Sequence, residues 1–482
     1  MAALPDLRQL DRAWQQCRRR KRHTPQAQAY ELRLLDNLMD TVEALQEGSW
    51  RPVRPVCFVV DRPKAREIHA AAFCDRVVHH WLVPHLEAIH EPIFIHDVYS
   101  NRQGKGTHRG VRRLQSFMHS LRAKEGKPGY YLQLDIANFF VTVDRPLLFS
   151  LLQKHLRKAL SRGRLSVPEA HMLRSLCHTL LRQDVGREAR CLASPAQMRC
   201  VPEHKRLDAA PPDKGLPIGN LTSQHFANVY LNELDQFIKH RLKCRYYLRY
   251  VDDMVLLHAD PNRLGYWQRE IASFLAQRLK LTLRADWRLA PVDRGVDFLG
   301  YIVRPHYRLV RRRVVGNLRE RLDGFENAMI RLRPNGRLAV DEAQLRAIHS
   351  CLASYWGHFR HADAWRLMDA LWRRYGWLGL FFNHRAGRLS AAWYPRQVSG
   401  YAAQVRYFRR RFPHARVLVQ KGWNTEDYPP WSPCPAGVPR PTDPCGRVRQ
   451  ANIVEDGYLK GGLKRRRLDS LYFETGENLC QN

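Results

Sequence analysis

Acidic residues are scarce in this chain. Asp and Glu number 46 against 80 Lys and Arg, leaving a formal net charge of +34 over 482 residues and a pI near 10.2. A compact body with that excess repels itself, so an anionic partner is expected nearby. Nucleic acid fits best, because the basic residues run along the whole chain. A membrane-surface protein would gather them in one tail or helix; a merely solubilising surface is the blander alternative. Long apolar runs are also missing: none reaches the roughly 18–20 residues that span a bilayer. The opening MAALPDLRQLDRAW has no signal-peptide core, so nothing is expected to direct secretion. No CxxC pair occurs, and the 11 cysteines are odd in number, scattered from Cys17 to Cys480. Cys191 with Cys200, or Cys434 with Cys445, offers at most half of a zinc site. Reduced thiols, a cytoplasmic location and no membrane partner are the expectation. No repeat of fixed period is visible. Apolar residues are plentiful, at 44% with 10% aromatic, which excludes a wholly disordered chain. The length allows about three domain-sized units.

Helical periodicity marks residues 1–50, with Leu10, Trp14 and Cys17 on one apolar stripe and Leu32, Leu35, Leu38 and Met39 on another. Between them, RRRKRH (Arg18–His23) is either a nucleic-acid contact or a solvated linker. Residues 51–75 read as a hairpin arm and 76–95 as a helix with a Pro kink. VYSNRQGKGTHRGV is a Gly-rich basic loop feeding a helix over about 109–124. YYLQLDIANFFVTV (130–143) is the clearest strand, with Asp135 at its centre. A helical stretch over 145–182 precedes a polar, irregular insertion at 183–214. CRYYLRYVDDMVLLHA reads as a hairpin with Asp252 and Asp253 at its tip, followed by a helix over about 263–279 and short strands over 281–303. Beyond 304 the chain is basic and helical to about 375. The remainder should hold a basic helix, a strand at Ala415–Gln420, a Pro-rich linker at 428–447 and a short terminal helix.

Three carboxylates interrupt apolar strands. Burying one without a partner costs several kcal/mol, of order 2–7. If the two strands are neighbours, Asp135 and Asp252 face one another and repel, and a divalent cation relieves the repulsion. Mg²⁺, a hard ion with oxygen ligands, suits them; two such ions can activate a hydroxyl and steady a leaving pyrophosphate. The plainer alternative is a pair of turn aspartates and a salt-bridged edge residue.

YVDD (Tyr250–Asp253) resembles the catalytic box of reverse transcriptases, and LQLDIANFF (Leu132–Phe140) their first catalytic motif. GLPIGNLTSQ (Gly215–Gln224) is similar to their template-and-nucleotide-positioning motif, and FLGYIV (Phe298–Val303) to their primer grip. NRQGKGTHRGV (Asn101–Val111) and PKAREIHAAAFCDRVVHH (Pro63–His80) resemble their fingers motifs. The resemblance runs in order from about residue 25 to 370. It implies an α+β right-hand polymerase with an antiparallel palm sheet, helical fingers and thumb, and a C-terminal extension of unknown role. Its domains would be an N-terminal helical region (1–60), fingers (61–130), palm (131–303), thumb (304–375) and extension (376–482). The implied activity is RNA-directed DNA polymerisation with two Mg²⁺ ions (Mn²⁺ as a substitute), dNTPs, an RNA template and a DNA or RNA primer. Asp135, Asp252 and Asp253 would be catalytic, holding metal with the carbonyl of Ile136. Lys64, Arg66 and Arg76 would approach the triphosphate, with no one of them singled out by sequence. Phe140 would reject a ribose 2′-hydroxyl, or simply pack in the core. Gly219 and Gln224 would line the nucleotide site, Gly219 by close approach to the nascent base pair. Arg102, Lys105, Arg311, Arg312 and Arg313 would contact nucleic acid.

Two departures from the family pattern matter. Ile218 and Gln224 stand where Gln and Pro are usual, a variant similar to the enzymes of diversity-generating retroelements, which copy with errors at template adenines. That group implies a small basic accessory protein and a structured RNA as partners. Related antiviral-defence enzymes share the motif style, and a catalytically silent RNA-binding scaffold is the non-enzymatic alternative. Secondly, the stretch LRADWRLAPVDRGVDFLG offers Arg284 and Arg288 but no Lys beyond Lys280 as an acid toward pyrophosphate. Arg gives up a proton poorly, so it would act electrostatically.

Overall fold

The computed structural model describes residues 5–19, 21–61, 64–332, 338–340, 342–376, 378–385 and 388–391, and four strands within 416–474. The chain divides into two compact units, 1–299 and 300–482.

In the first unit, α1 (Leu7–Arg18) starts where the Asp6 carboxylate accepts the Gln9 amide at 2.7 Å, a side-chain N-cap. α1 buries Leu10, Ala13 and Cys17. α2 (Pro25–Glu31) and α3 (Leu34–Glu47) follow, then the antiparallel hairpin of β1 (Val56–Val60) and β2 (Arg66–Ala70). α4 (Phe73–His90) carries Pro84 within it, and α5 (Thr107–Glu125) leads to β3 (Tyr130–Leu134). The one-turn α6 (Phe139–Thr142), α7 (Arg145–Ser161) and α8 (Val167–Arg182) come next. The segment after α8 holds α9 (Val185–Glu188), the two-residue β4 (Arg190–Cys191) and α10 (Pro195–Arg199); β4 pairs in parallel with β1. α11 (Leu221–Gln236), β5 (Tyr246–Tyr250), β6 (Asp253–His258), α12 (Pro261–Leu279) and β7 (Arg288–Pro291) complete the frame.

The central sheet runs β5-β6-β3-β7, antiparallel throughout. Its register sets Leu132 between Leu256 and Leu289 and Leu134 against Met254. Leu132, Leu134, Met254, Val255, Leu256 and Leu257 are at most 1% exposed, so both faces of β3 and β6 are covered. That explains their unbroken apolar runs, since a one-sided sheet would alternate. β5 and β6 are joined by only Val251 and Asp252, which turns the YVDD box into a tight hairpin tip.

The second unit begins with a hairpin, Tyr301–Val303 against Arg308–Val310. Helices Arg312–Met329, Glu342–Phe359 and Trp365–Arg374 then pack around Leu318, Leu322, Ile348, Leu352, Trp356, Phe359 and Leu371. The Tyr375 hydroxyl donates to Asp323 at 2.7 Å across that core.

Three expectations are corrected. The strand expected over 130–143 stops at Leu134. Asn138 adopts φ +49°, a left-handed turn that Asn tolerates, and the chain drops into α6. Asp135 therefore sits just past a strand end, not at a strand centre. The stripe Leu32, Leu35, Leu38, Met39 does not face inward as one: Leu38 is 3% exposed, but Leu32 is 86%, Leu35 59% and Met39 55%. The break between α2 and α3 separates Leu32 from the rest, and within α3 Leu35 and Met39 fall on the solvent side while Leu38 faces inward. Lastly, Ser470–Glu474 is a strand pairing antiparallel with Arg416–Lys421, where a terminal helix was expected; the Leu-Tyr-Phe run favours a pleat. The strand expected at Ala415–Gln420 matches Arg416–Lys421. The basic helix before it and the Pro-rich linker lie outside the described residues, Tyr428 excepted.

The burial difference within that stripe is measurable. Leu38→Ala should cost about 2–5 kcal/mol in a denaturant titration, whereas Leu32→Lys should stay within about 0.5 kcal/mol of the parent.

Candidate active site

The site grows from the tip of the central sheet. Asp135 follows the last residue of β3, and Asp252 lies in the turn between β5 and β6. Burial first, and then the charge of Asp135, push the Asp252 carboxyl up to about 7. The two carboxylates are close enough to share a hydrogen bond when one is protonated, and Arg66 of β2 tempers Asp252 from the other direction. Asp253 accepts from the Gln133 amide at 3.2 Å; the same amide nitrogen donates to the Asp297 carbonyl at 2.9 Å. Gln133 thus ties Asp253 to β3 and to the chain before residue 299.

Arg284 closes the other side. Its backbone amide donates to the Asp135 carbonyl at 2.9 Å, and its guanidinium lies 3.2 Å from Asp135 Oδ2 and 2.7 Å from Asp286 Oδ2. Arg284 and Asp135 are both more than a third exposed, so the pair is worth at most about 1 kcal/mol and can be exchanged readily. Lys280 is engaged elsewhere, donating to Asp144 at 2.7 Å.

Beneath the turn lies an ion pair with no solvent access. Arg249 of β5 and Asp235 of α11 are both 0% exposed, and the guanidinium is bidentate, at 2.8 and 2.6 Å. Such a pair survives burial only if its remaining groups are satisfied. The Tyr247 hydroxyl donates to Asp235 at 2.6 Å, and a further Arg249 nitrogen donates to the Asn228 side chain and, at 2.8 Å, to the Val251 carbonyl. Burial, then the Asp235 charge, raise the Tyr247 hydroxyl well above its ordinary pKa, which keeps it a donor. The Val251 amide is held from the opposite side by the Ser100 hydroxyl at 2.9 Å. Val251 needs that grip: it sits at φ +56°, a region a β-branched residue reaches at a cost of about 1–3 kcal/mol. Ser100 is itself fixed by Asn228, whose amide donates to its carbonyl at 2.9 Å.

The family model for reverse transcriptase (RNA-dependent DNA polymerase) matches residues 61–303, just over half of the chain and the whole of this site. The chain belongs to that family. Among solved structures, apo telomerase from Candida tropicalis, truncated from the C-terminal domain, aligns at 13% identity and a TM-score of 0.39, over 57% of this chain and 60% of that one. Telomerase from Candida albicans in complex with a TWJ fragment of telomeric RNA aligns at 13% identity and 0.37, over 66% and 55%. The chain therefore spans less than two thirds of either relative. No curated protein matches.

In this member of the family the other sequence candidates separate. Arg66 neighbours Asp252, and Lys64 is exposed just before it. Arg76 instead donates to the Ala71 carbonyl at 2.8 Å and lies near Lys21 and His80. Phe139 is buried, while Phe140 is half-buried and meets it edge-on with ring centres 5.3 Å apart. Ile136 is buried and bridges Leu283. Gln224 lies in the first turn of α11. Gly219, at φ +122°, makes its close approach to β2: a Cβ there would stand 3.0 Å from the His69 carbonyl oxygen. The approach expected to a base pair is thus already taken by the protein's own hairpin. The same loop is stitched to β2 by His69 N–H to Ile218 O at 2.8 Å and Ala71 N–H to Asn220 Oδ1 at 3.1 Å. Arg102 is not turned outward. Its guanidinium is spent on Glu91 and on the Ile95 and Val98 carbonyls, bracing the loop. Lys105 donates to the His96 carbonyl at 2.9 Å and is half-buried. Arg311, Arg312 and Arg313 belong to the second unit, at the start of its first helix, with Arg312 and Arg313 exposed.

Sequence reasoning missed Asp235, Arg249, Ser100 and Asn228. The signal was present for two of them: Arg249 interrupts the same apolar run as the YVDD box, and Asp235 interrupts the apolar face of α11.

Asp235→Asn, which keeps shape but leaves Arg249 buried and unpaired, should cost about 3–5 kcal/mol in urea unfolding. Tyr247→Phe, which removes one donor, should cost about 1–2 kcal/mol. Equal costs would mean that the pair is not what holds the turn.

Proposed function

We propose that this protein is an RNA-directed DNA polymerase that extends a primer on an RNA template, with Asp135 and Asp252 as its metal-binding pair and Asp253 beside them. The observation that carries the reading is the placement of Asp252 at the hairpin tip beside Asp135, where burial first and the Asp135 charge second lift it to about 7. Members of this family use divalent ions, generally Mg²⁺, and two adjacent half-buried carboxylates are a donor set that suits a hard cation. When bound, Mg²⁺ activates the primer hydroxyl and stabilises the departing pyrophosphate.

The chain's own groups do the rest. Arg66, on the hairpin edge beside Asp252, reaches toward the triphosphate, with Lys64 next to it. Arg284 holds Asp135 while no cation is present and turns to the phosphates when one is. As a group that keeps its proton, it stabilises charge and does not act as the acid. Phe140 stands as the half-exposed ring against a ribose 2′-hydroxyl, supported by the buried Phe139 behind it. Lys105, Arg312 and Arg313 supply phosphate contacts that carry no sequence preference.

Ile218 and Gln224 favour the finer reading, an error-prone copier of the diversity-generating kind. Ile218 is bonded to β2 through its backbone, so its apolar side chain is what it can offer a templating base.

On a primed RNA template the enzyme should incorporate deoxynucleotides, and Asp252→Asn should reduce extension by at least about 10³-fold, the scale of losing a group that acts in the chemical step. Sequenced products should carry their errors at template adenines. Ribonucleotide preference, or full activity in Asp252→Asn, would contradict the proposal.

The carboxylate pair also sets a pH dependence. Asp252 ordinarily titrates near 3.8 and here near 7, so its protonated form is favoured on folding. That stabilisation is complete below about pH 4 and is lost as pH rises through 7. Mg²⁺ should therefore raise the melting temperature more at pH 8 than at pH 5, and the difference should vanish in Asp252→Asn.

A further inference from the structure

A second cluster of donor atoms lies apart from the carboxylates, on the β1–β2 hairpin. Cys57 of β1 is directly opposite His69 of β2, and Glu67 lies two residues before His69 on the same face. On the other edge of β1, Cys57 is the register partner of Cys191 in β4. Three adjacent strands thus set His69, Cys57 and Cys191 in a row, with Glu67 diagonal to them. Cys57 is 3% exposed, Glu67 5% and His69 1%.

The ligand atoms of Cys57, Glu67 and His69 all lie within 4.8 Å of one another. Cys57 Sγ is 3.5 Å and His69 Nε2 3.3 Å from the same oxygen, Glu67 Oε1. Ligands about 2.0–2.3 Å from a tetrahedral zinc are about 3.3–3.8 Å from each other. The two spacings to Glu67 Oε1 therefore match the edge of a zinc tetrahedron, while Cys191 lies outside the 4.8 Å group. The second Glu67 oxygen is orientated by the Leu207 amide at 2.7 Å, the outer support that a ligating carboxylate usually has. His69 Nε2, buried, makes no well-directed hydrogen bond even though Glu67 Oε1 stands 3.3 Å away. Leaving a buried imidazole nitrogen unsatisfied costs about 1–3 kcal/mol, which coordination would recover. The Cys191 and Cys57 side chains are also neighbours close enough to interact.

We propose that Cys57, Glu67, His69 and Cys191 form a structural zinc site that staples β1, β2 and β4 together. Two thiolates, an imidazole and a carboxylate suit zinc, which is redox-inert and indifferent to ligand-field geometry. Binding releases the thiol protons to solvent. The consequence reaches the polymerase site mechanically. β2 carries Arg66, and its outer edge holds the Ile218 carbonyl and the Asn220 side chain, so the staple fixes both. The site belongs to β1, β2 and β4 and does not depend on the polymerase activity.

The test is elemental analysis of the full chain, expressed with zinc in the medium and purified without a metal-binding tag. About one zinc per chain is expected, with loss in Cys57→Ser and in His69→Gln and weakened retention in Cys191→Ser, whose exposed position should not disturb folding. Should the buried variants fail to fold, cobalt substitution of the parent protein decides. Thiolate-to-cobalt charge-transfer bands and tetrahedral ligand-field bands are expected, altered in Cys191→Ser. Zinc-free parent protein, cobalt spectra without thiolate bands, retention of zinc by Cys191→Ser equal to the parent, or a Cys57–Cys191 disulfide in the purified protein would each overturn the site.

Discussion

The guanidinium of Arg249 and the carboxylate of Asp235 meet where neither side chain touches solvent, and the YVDD turn hangs from that contact. One Arg249 nitrogen reaches the Val251 carbonyl and Ser100 reaches the Val251 amide, so both polar backbone groups of the strained residue are claimed. Strain in Val251 is what turns the backbone so that Asp252 comes to Asp135. A buried ion pair is a weak source of net stability, but one further bonded to Tyr247, Asn228 and the Val251 carbonyl is a strong source of geometry. Here it orients a carboxylate that electrostatics would otherwise push away from its neighbour.

That arrangement explains which parts of the sequence were legible. Motif residues placed on or beside regular strands, such as Asp252 and Asp253 on the hairpin tip, could be read because a charge in an apolar run is conspicuous. The end of β3 could not, because Asn138 adopts a left-handed turn that aromatic and β-branched neighbours on both sides conceal. The Leu32–Met39 stripe misled because Leu32 lies before a helix break and Leu35 and Met39 fall on the solvent side of α3 beside the buried Leu38. Arg102 and Gly219 look like nucleic-acid and nucleotide contacts in a motif, yet the fold spends Arg102 on Glu91 and Gly219 on β2. Partners distant in sequence become visible only when elements pack together: Asp235 of a helix for Arg249, and Cys191 of a paired strand for Cys57.

The charge excess takes on a narrower meaning in this frame. Some of the 80 basic residues are structural, as Arg102 and Arg249 are, and cannot serve a polyanion. Those left exposed, including Lys64, Arg312 and Arg313, are the ones available to phosphates. Among the described residues no helix is long and apolar enough to cross a membrane. A few acids are held where they organise the site: Asp235 beneath the turn, Asp135 and Asp286 around Arg284, and Glu67 on the hairpin that carries Arg66.

The central claim is that Asp135 and Asp252, brought together by the turn, form a cation site. Manganese binding followed by electron paramagnetic resonance tests it most directly, comparing the parent chain with Asp135→Asn/Asp252→Asn in the presence of a primed RNA template and a deoxynucleotide. The account predicts protein-bound manganese in the parent and its loss in the double variant, with both proteins folded. Equal manganese binding by the two would contradict it.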